Sequence, residues 1–432
     1  MKLFYLCSAF LNFINVYIRL IFRSKSFFCT DDYVRFRDLI NYAWENIPAY
    51  RRLWEENGFE PSMFCSLDDV KRIPIIDKDF IRSNCQDMIS RQYDFHRLSK
   101  VMTGGTTGMP MTFYIDQYKA RSKELAYQLW GGWHFWKHLQ CIDRTVTMRG
   151  HRVDKNLIDS GIFWERNPRE NGIFMSSFHI LEENYHAYIE KLRDFGPKYI
   201  KAYPSSIVAL CFLMKTHGDK AIKGLKGVIC SSENIYQWQR KLVKEVLGIE
   251  IYSYYGHSEK VVCAFQNSQG DMEFQKDYGY VEFLDDKGLD VTVEGEQACV
   301  VSTSLDNYYF PFIRYNTGDY VEVASGDKCA RRIIGREQEF VYDNVGNKVI
   351  FTCSDEPLWD IPGIVAYQYT QRVPGILELH IQTDCRFEKD SISLILERAR
   401  MIFVNFKIEV IMVSEIHRTS AGKYRYLIQH II

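Results

Sequence analysis

The sequence predicts an α/β fold, a large body with mainly parallel sheets and a small antiparallel region, followed by a small, mobile α+β domain at the C-terminus. Three observations predict it. From about residue 184 helical and strand patterns alternate. Tyr185, Ile189 and Leu192 mark a helix face, YIKAY a strand, IVALCFLMKTH a helix with Ser205 at its start, KGVIC a strand, YQWQRKLVKEVLG a helix and IEIYSYY a strand. Such a βαβαβ series gives parallel strands with crossover helices. Residues 279–305 then change to short alternating runs broken by DDKG and EGEQ, a pattern of antiparallel pairing. Beyond Gly335, VAYQYTQ, ILELHIQT and KIEVIMV read as strands and EKDSISLILERARMIF as a helix, a unit of its own. The boundaries expected are an amphipathic segment over 1–30, a body over 31–335 and a terminal domain over 336–432, with the hinge close to Arg336.

Upstream of the alternating region the signals are helical. Tyr33, Phe36, Leu39, Ile40, Ala43 and Ile47 recur at helix spacing until Pro48 ends the run, and Ser66 and Asp77 are placed to cap two further helical turns. Leu3–Phe22 is the most apolar stretch, long enough at about 1.5 Å per residue to cross a core of about 30 Å. Its polar residues Ser8, Asn12, Asn15 and Arg19 fall on one helical stripe, however. That spacing predicts an amphipathic helix lying on a membrane surface or packed on the body, ahead of a span or a cleaved signal.

Composition narrows the class. The chain has 432 residues with 54 Lys+Arg against 55 Asp+Glu, a net charge of -1, so no global field recommends nucleic acid as a partner. With 46% hydrophobic residues it is neither collagen-like nor disordered. The 12 cysteines include no C-x-x-C pair, and several, such as Cys211 and Cys230, sit in apolar runs, which reads as reduced thiols in a cytoplasmic protein.

Five motifs carry chemistry. In VMTGGTTGMPMTFY, residues 101–114, a Gly/Thr loop after a strand offers backbone N–H groups and hydroxyls to phosphate oxygens, without the GK[ST] ending of a Walker loop. YYGHSEK, residues 254–260, puts an aromatic ring beside a glycine, followed by Ser258 and Glu259, a hydroxyl and a carboxylate suited to phosphate and Mg²⁺. It fails the G-x-S-x-G elbow of serine hydrolases at its last position. RYNTGDY, residues 314–320, places Asp319 after a glycine turn where it can accept from a ribose diol. IIGREQEF lies at the domain junction, and HRTSAGKYRY puts Lys423 in a polar loop near the end. His134 and His138 stand four apart with no H-E-x-x-H around them, so Mg²⁺ is the only metal expected.

In this order the five motifs resemble the adenylate-forming superfamily of acyl- and aryl-CoA ligases. The SSEN segment at 231–234 and the chain length narrow the resemblance to the phenylacetate-CoA ligase family and its capsular-polysaccharide, CapK-type branch. The resemblance implies a body that binds ATP and a carboxylic acid and joins them as an acyl-adenylate with loss of pyrophosphate. It implies that Thr103, Gly104, Gly105, Thr106, Thr107 and Gly108 cradle phosphates. Ser232 and Glu233 line the adenine pocket, Tyr255 stacks on the base, Glu259 holds Mg²⁺, and Asp319 and Arg336 bind the ribose. Lys423 is the catalytic lysine, carried on a lid. The segments 127–137 and 202–206 wall the acid site, and their aromatic content suits an apolar or aromatic acid as well as ordinary core.

The chain departs from the family's pattern at two places. Pro110-Met111 stands where many relatives have Pro-Lys, and Gln338 where relatives have a hinge acid. The resemblance therefore reaches further for adenylation than for a CoA half-reaction. The expected function is AMP-forming acid activation followed by transfer to CoA, a carrier protein or an amino sugar in surface-polysaccharide biosynthesis, at the inner face of the cell membrane. Its rivals are a catabolic aryl-CoA ligase and a non-catalytic nucleotide-binding scaffold of glycan assembly.

Overall fold

The computed structural model describes residues 2–21, 32–102, 111–136, 143–168, 170–233, 235–336, 340–346, 348–351, 356–358, 361–403, 405–417 and 425–431. Two compact units divide the chain, Met1–Ile333 and Ile334–Ile432.

The apolar start forms helix α1 (Lys2–Ile21). The run from Tyr33 becomes α2 (Asp32–Asn46), which buries Phe36, Leu39, Ile40 and Ala43. Pro48 lacks the N–H that would continue α2, and it opens α3 (Pro48–Glu56) at its first position. The Ser66 N–H donates to Asp69 Oδ2 at 2.9 Å, and Asp77 caps α4 (Lys78–Asn84) by accepting from the Phe80 N–H at 2.8 Å. The strands β1 (Leu98–Met102) and β2 (Thr112–Asp116) pair antiparallel around residues 103–110, and Asp116 caps α5 (Gln117–His134).

α5 is the beam of this unit. It lies so close to its neighbour that a Cβ at Gly131 would meet Phe265 Cε1 at 2.4 Å. On its other side it carries α1, with Asn12 Nδ2 donating to Ser122 Oγ at 2.6 Å and Leu20 buried beside Ala126, Tyr127 and Trp130. The polar stripe of α1 is split between its two sides. Asn12 turns inward, while Asn15 and Arg19 are exposed together with Phe10, Leu11, Ile18 and Ile21. No described helix is long and apolar enough to cross a membrane.

The main sheet begins with β3 (Thr145–Met148), α6 (Lys155–Asp159), β4 (Trp164–Asn167) and β5 (Gly172–Met175). It continues through α7 (Tyr185–Phe195), β6 (Tyr199–Ala202), α8 (Pro204–Thr216), β7 (Gly227–Cys230), α9 (Gln237–Leu247) and β8 (Glu250–Gly256). β5, β3, β6, β7 and β8 run parallel, with β4 antiparallel at the edge. β8 changes partner along its length. Glu250–Ser253 pair parallel with β7, and Tyr254–Gly256 pair antiparallel with β9 (Cys263–Gln266). The antiparallel half follows as β10 (Met272–Phe274), β11 (Tyr280–Leu284), β12 (Gln297–Thr303), β13 (Tyr315–Val323) and β14 (Cys329–Arg336).

Alternation along each strand sorts the parallel half into two faces. Val146, Met148, Ile200, Ala202, Val228 and Cys230 pack with Ile189, Leu210, Met214 and Val243 of α7, α8 and α9. Burial there pushes the Cys230 thiol up to about 12. Tyr199, Ile229 and Tyr252 point the other way, toward Ala126, Tyr127 and Trp130 of α5.

The second unit has a hairpin, β15 (Phe340–Tyr342) and β16 (Lys348–Ile350), and a sheet ordered β19-β18-β17-β20. Its strands are β17 (Ile364–Val373), β18 (Ile376–Thr383), β19 (Lys407–Val413) and β20 (Leu427–Gln429), with α10 (Ser391–Ile402) between β18 and β19. Tyr369, Leu377, Leu379, Ile395 and Ala399 form its core. The buried Gln371 side chain pairs with both backbone groups of Tyr342, at 2.8 and 2.7 Å, tying hairpin to sheet.

Candidate active site

Because β3, β6, β7 and β8 are parallel, their carboxyl ends lie side by side. Arg149, Tyr203–Ser205, Ser231–Glu233 and Tyr255–Glu259 follow or end those strands. Such an edge is where open α/β sheets take ligands.

The tightest cluster joins β8 to β13. Tyr255 Oη and His257 Nε2 each lie 2.8 Å from Asp319 Oδ2. Asp319 is 6% exposed, so its carboxylate meets those two groups away from bulk water. Local chemistry sets its position. Gly318 adopts φ +75°, its N–H donates to Asn316 Oδ1 at 2.8 Å, and the Asp319 N–H donates to Thr317 Oγ1 at 3.1 Å. The glycine turn expected of RYNTGDY is instead a bulge inside β13, where the pairing with β12 shifts between Cys299↔Tyr320 and Val301↔Asn316. His257 packs edge-on against Tyr255 at 4.9 Å between centroids. Nothing in the sequence alone singled out His257, although it stands inside the YYGHSEK motif between the ring and the carboxylate.

Glu259 is 7% exposed, and the Tyr315 hydroxyl donates to it at 3.3 Å. Its carboxylate is hard and buried, and one such oxygen donor together with substrate phosphates is the set Mg²⁺ takes. The residues present therefore fit that ion. Lys260, at φ +58°, reaches across to Glu124 of α5 at 2.8 Å.

Glu233 has a local role that the sequence did not show. Its two oxygens accept from the Ser205 N–H at 2.9 Å and the Ser205 hydroxyl at 3.0 Å. α8 starts at Pro204 without a capping side chain at Tyr203, and Glu233 supplies that cap from the next strand's loop. Ser232 holds φ +73°, uncommon for a residue with a side chain, and so turns the loop at the end of β7.

The structure thus joins Tyr255 to Asp319, bonds Glu259 to Tyr315 of β13, and places Ser232 and Glu233 on the adjoining strand end. Thr103, Gly104, Gly105, Thr106, Thr107, Gly108 and Lys423 lie outside the described residues, as do Pro110, His138 and Gln338. Arg336 is the last residue of β14. The segment 418–424, which contains Lys423, is flanked by His417 and Arg425. Gln368 Nε2 donates to the carbonyl oxygens of both, at 3.1 and 2.9 Å. Of the aromatic residues of 127–136, Tyr127, Trp130 and Trp136 are buried around Phe265 and Tyr278, Phe135 packs half-buried against them, and Trp133 is exposed.

No protein-family model matches the chain. Among curated proteins it is 22% identical to Protein CapK of Staphylococcus aureus over 422 residues, 92% of this chain and 88% of CapK. It is 25% identical to the phenylacetate-coenzyme A ligase of Thermus thermophilus over 372 residues, 80% of this chain and 78% of that ligase. A 2-hydroxyisobutyryl-CoA ligase in the postadenylation state with 2-HIB-AMP superposes with a TM-score of 0.72 at 19% identity, covering 92% and 88% of the two chains. The chain is a relative of CapK and phenylacetate-CoA ligase with the adenylate-forming fold. The same fold extends to an anthranilate CoA ligase with anthranoyl-AMP, at a TM-score of 0.55 over 80% of this chain and 68% of that one. Ligases of different acids thus share the frame that carries the Tyr255–Asp319 pair.

Proposed function

We propose that the chain activates a carboxylic acid with ATP as an acyl-adenylate and passes the acyl group to an acceptor in surface-polysaccharide biosynthesis. The observation that carries this is the meeting of Tyr255 and His257 with Asp319 just beyond β8, with Glu259 bonded to Tyr315 of the same strand as Asp319, in a relative of CapK and of CoA ligases. In this reading a carboxylate oxygen of the acid attacks the α-phosphorus, the new C–O–P link forms, and the bond to the pyrophosphate oxygen breaks. Two anions meet in that step, so charge on the phosphorus oxygens must be neutralised. Glu259 would hold Mg²⁺, which would supply part of that neutralisation, and Lys423 would supply the rest. Tyr255 offers its ring to the base, and Asp319, oriented by Tyr255 and His257, accepts from the ribose. Thr103–Gly108 cradle the phosphates, and Ser232 and Arg336 complete the nucleotide contacts.

Acid-dependent pyrophosphate release, measured with CoA and then with nucleotide-linked amino sugars, tests the acceptor. An amino sugar that raises turnover supports the polysaccharide reading, and CoA alone doing so replaces it with a CoA ligase of catabolism. The outward face of α1 adds a location. Phe10, Leu11, Ile18 and Ile21 are exposed on a segment whose first 30 residues hold Lys2, Arg19, Arg23 and Lys25 and no Asp or Glu. An apolar face with a basic excess suits an anionic lipid surface. Sedimentation with phosphatidylglycerol vesicles should carry the protein down, and Leu11→Asp should release it. Equal binding to neutral vesicles, or no binding, would remove the location.

A further inference from the structure

The face of the parallel half that looks toward α5 is not apolar throughout. Thr147 of β3 stands opposite Lys201 of β6 in the parallel register, so both side chains leave the sheet on the same side. Lys201, 7% exposed, donates to Glu170 Oε1 at 2.7 Å and lies 3.4 Å from Gln128 Oε1 of α5. Arg149, two residues beyond Thr147, donates to the Ile229 carbonyl at 3.1 Å. The charged and polar groups acting on Arg149 are those of Cys230, Tyr203, Glu170 and Tyr254, and Tyr203 in turn feels Glu233. A continuous polar patch therefore runs from the Glu233 loop to α5, along the strand edge that the nucleotide residues occupy.

Three buried atoms of this patch have no hydrogen-bond partner among the described residues. They are Thr147 Oγ1, Arg149 Nε and Glu170 Oε2. Leaving a buried polar group unpaired costs about 1–3 kcal/mol, and more for a charged one, so three in one patch point to something that pairs them. Their demands differ in kind. Glu170 Oε2 needs a donor, Arg149 Nε needs an acceptor, and Thr147 Oγ1 takes either. An alkyl chain or a bare aryl ring offers neither. A second carboxylate would suit Arg149 and repel Glu170; an ammonium group would do the reverse. A hydroxyl donates and accepts, and is the group that serves both.

We infer that the acid accepted by this chain carries hydroxyl groups on its carbon skeleton, read by Thr147, Arg149 and Glu170. The inference rests on the adenylation reading for the position of the acid, and it replaces the apolar or aromatic acid suggested by the aromatic content of 127–137. A site built to pair a hydroxyl discriminates strongly against the analogue without one, because its own buried groups are then left unpaired.

The test uses matched acids on the full chain: lactate and glycerate against propionate, gluconate against hexanoate, with benzoate and phenylacetate beside them. ATP–pyrophosphate exchange reads adenylation. Calorimetry with the non-hydrolysable analogue AMPCPP present reads binding independently of turnover. A hydroxylated acid should exceed its deoxygenated partner roughly 10²-fold in exchange or affinity. Thr147→Val and Arg149→Met should each shrink that ratio at least about tenfold while leaving AMPCPP affinity unchanged. If Arg149→Met fails to fold, Thr147→Val decides alone. Binding of a hydroxylated acid without exchange upholds this inference and removes the adenylation reading. Exchange that favours phenylacetate or hexanoate upholds adenylation and overturns the inference. Equal affinity within each pair, or no binding of any hydroxylated acid, also overturns it and means that the three atoms hold water only.

Discussion

The two faces of the parallel half of the sheet are made from the same strands and have opposite chemistry. Toward α7, α8 and α9, Val146, Met148, Ile200, Val228 and Cys230 meet Ile189, Leu210, Met214 and Val243 in an almost wholly apolar layer, where burial pushes the Cys230 thiol up to about 12. Toward α5, residues alternating with these include Thr147, Arg149 and Lys201, and three of the polar atoms there lack a described partner. Stability and chemistry are therefore separated by the two-residue period of a strand. A substitution on one face should move melting temperature, and a substitution on the other face or at the strand ends should move kinetics.

The largest expected effect is kinetic. Glu259→Gln, at the end of β8, should lower kcat/KM for pyrophosphate release by about 10²–10³-fold with the melting temperature nearly unchanged. A loss of folding instead would make Glu259 a structural carboxylate. On the opposite face Leu210→Ala should cost about 2–5 kcal/mol in chemical denaturation, with KM for ATP unaltered. A changed KM there would mean that the two faces are coupled. Tyr255→Phe and His257→Leu each remove one hydrogen bond to Asp319, and each should raise KM for ATP by about tenfold. The double variant should fall short of the product, because both act through the same carboxylate oxygen.

Smaller effects sharpen the contrast at its edges. Ser205→Ala removes the hydroxyl that donates to Glu233 and should destabilise by about 1 kcal/mol without changing acid preference. On the apolar side's rim, the Tyr185 hydroxyl and Arg193 hold the Asp219 carboxyl below the usual carboxylate range. Its contribution is fully present above the unfolded carboxylate's value and is lost as pH falls through the lower folded value. Asp219→Asn should accordingly flatten the acid limb of the stability profile and leave neutral pH kinetics alone.

The order of elements was legible because periodicity records burial. Tyr185, Ile189 and Leu192 are buried on α7, the strand at KGVIC is fully buried, and Asp77 and Pro48 cap and open helices where their chemistry says they should. Around Asp319 the need for a glycine was legible, since Gly318 at φ +75° is a local property, but the bulged pairing with β12 that replaces a free turn was not. What was not legible depends on distant residues. Glu233 becomes a cap only because β6 and β7 adjoin, His257 matters only because β13 brings Asp319 to it, and Asn12 turns inward only because Ser122 lies beneath α1. Aromatic density over 127–137 was ambiguous by composition, since burial against Phe265 and exposure to a ligand demand the same residues.

Trapping the intermediate tests the central claim most directly. With ATP, Mg²⁺, hydroxylamine and the panel of acids, the full chain should form an acyl hydroxamate, and Lys423→Ala should lower its rate by about 10²-fold or more. Absence of hydroxamate with every acid, together with an unchanged Lys423→Ala variant, would contradict adenylation and leave a nucleotide-binding protein that does no chemistry.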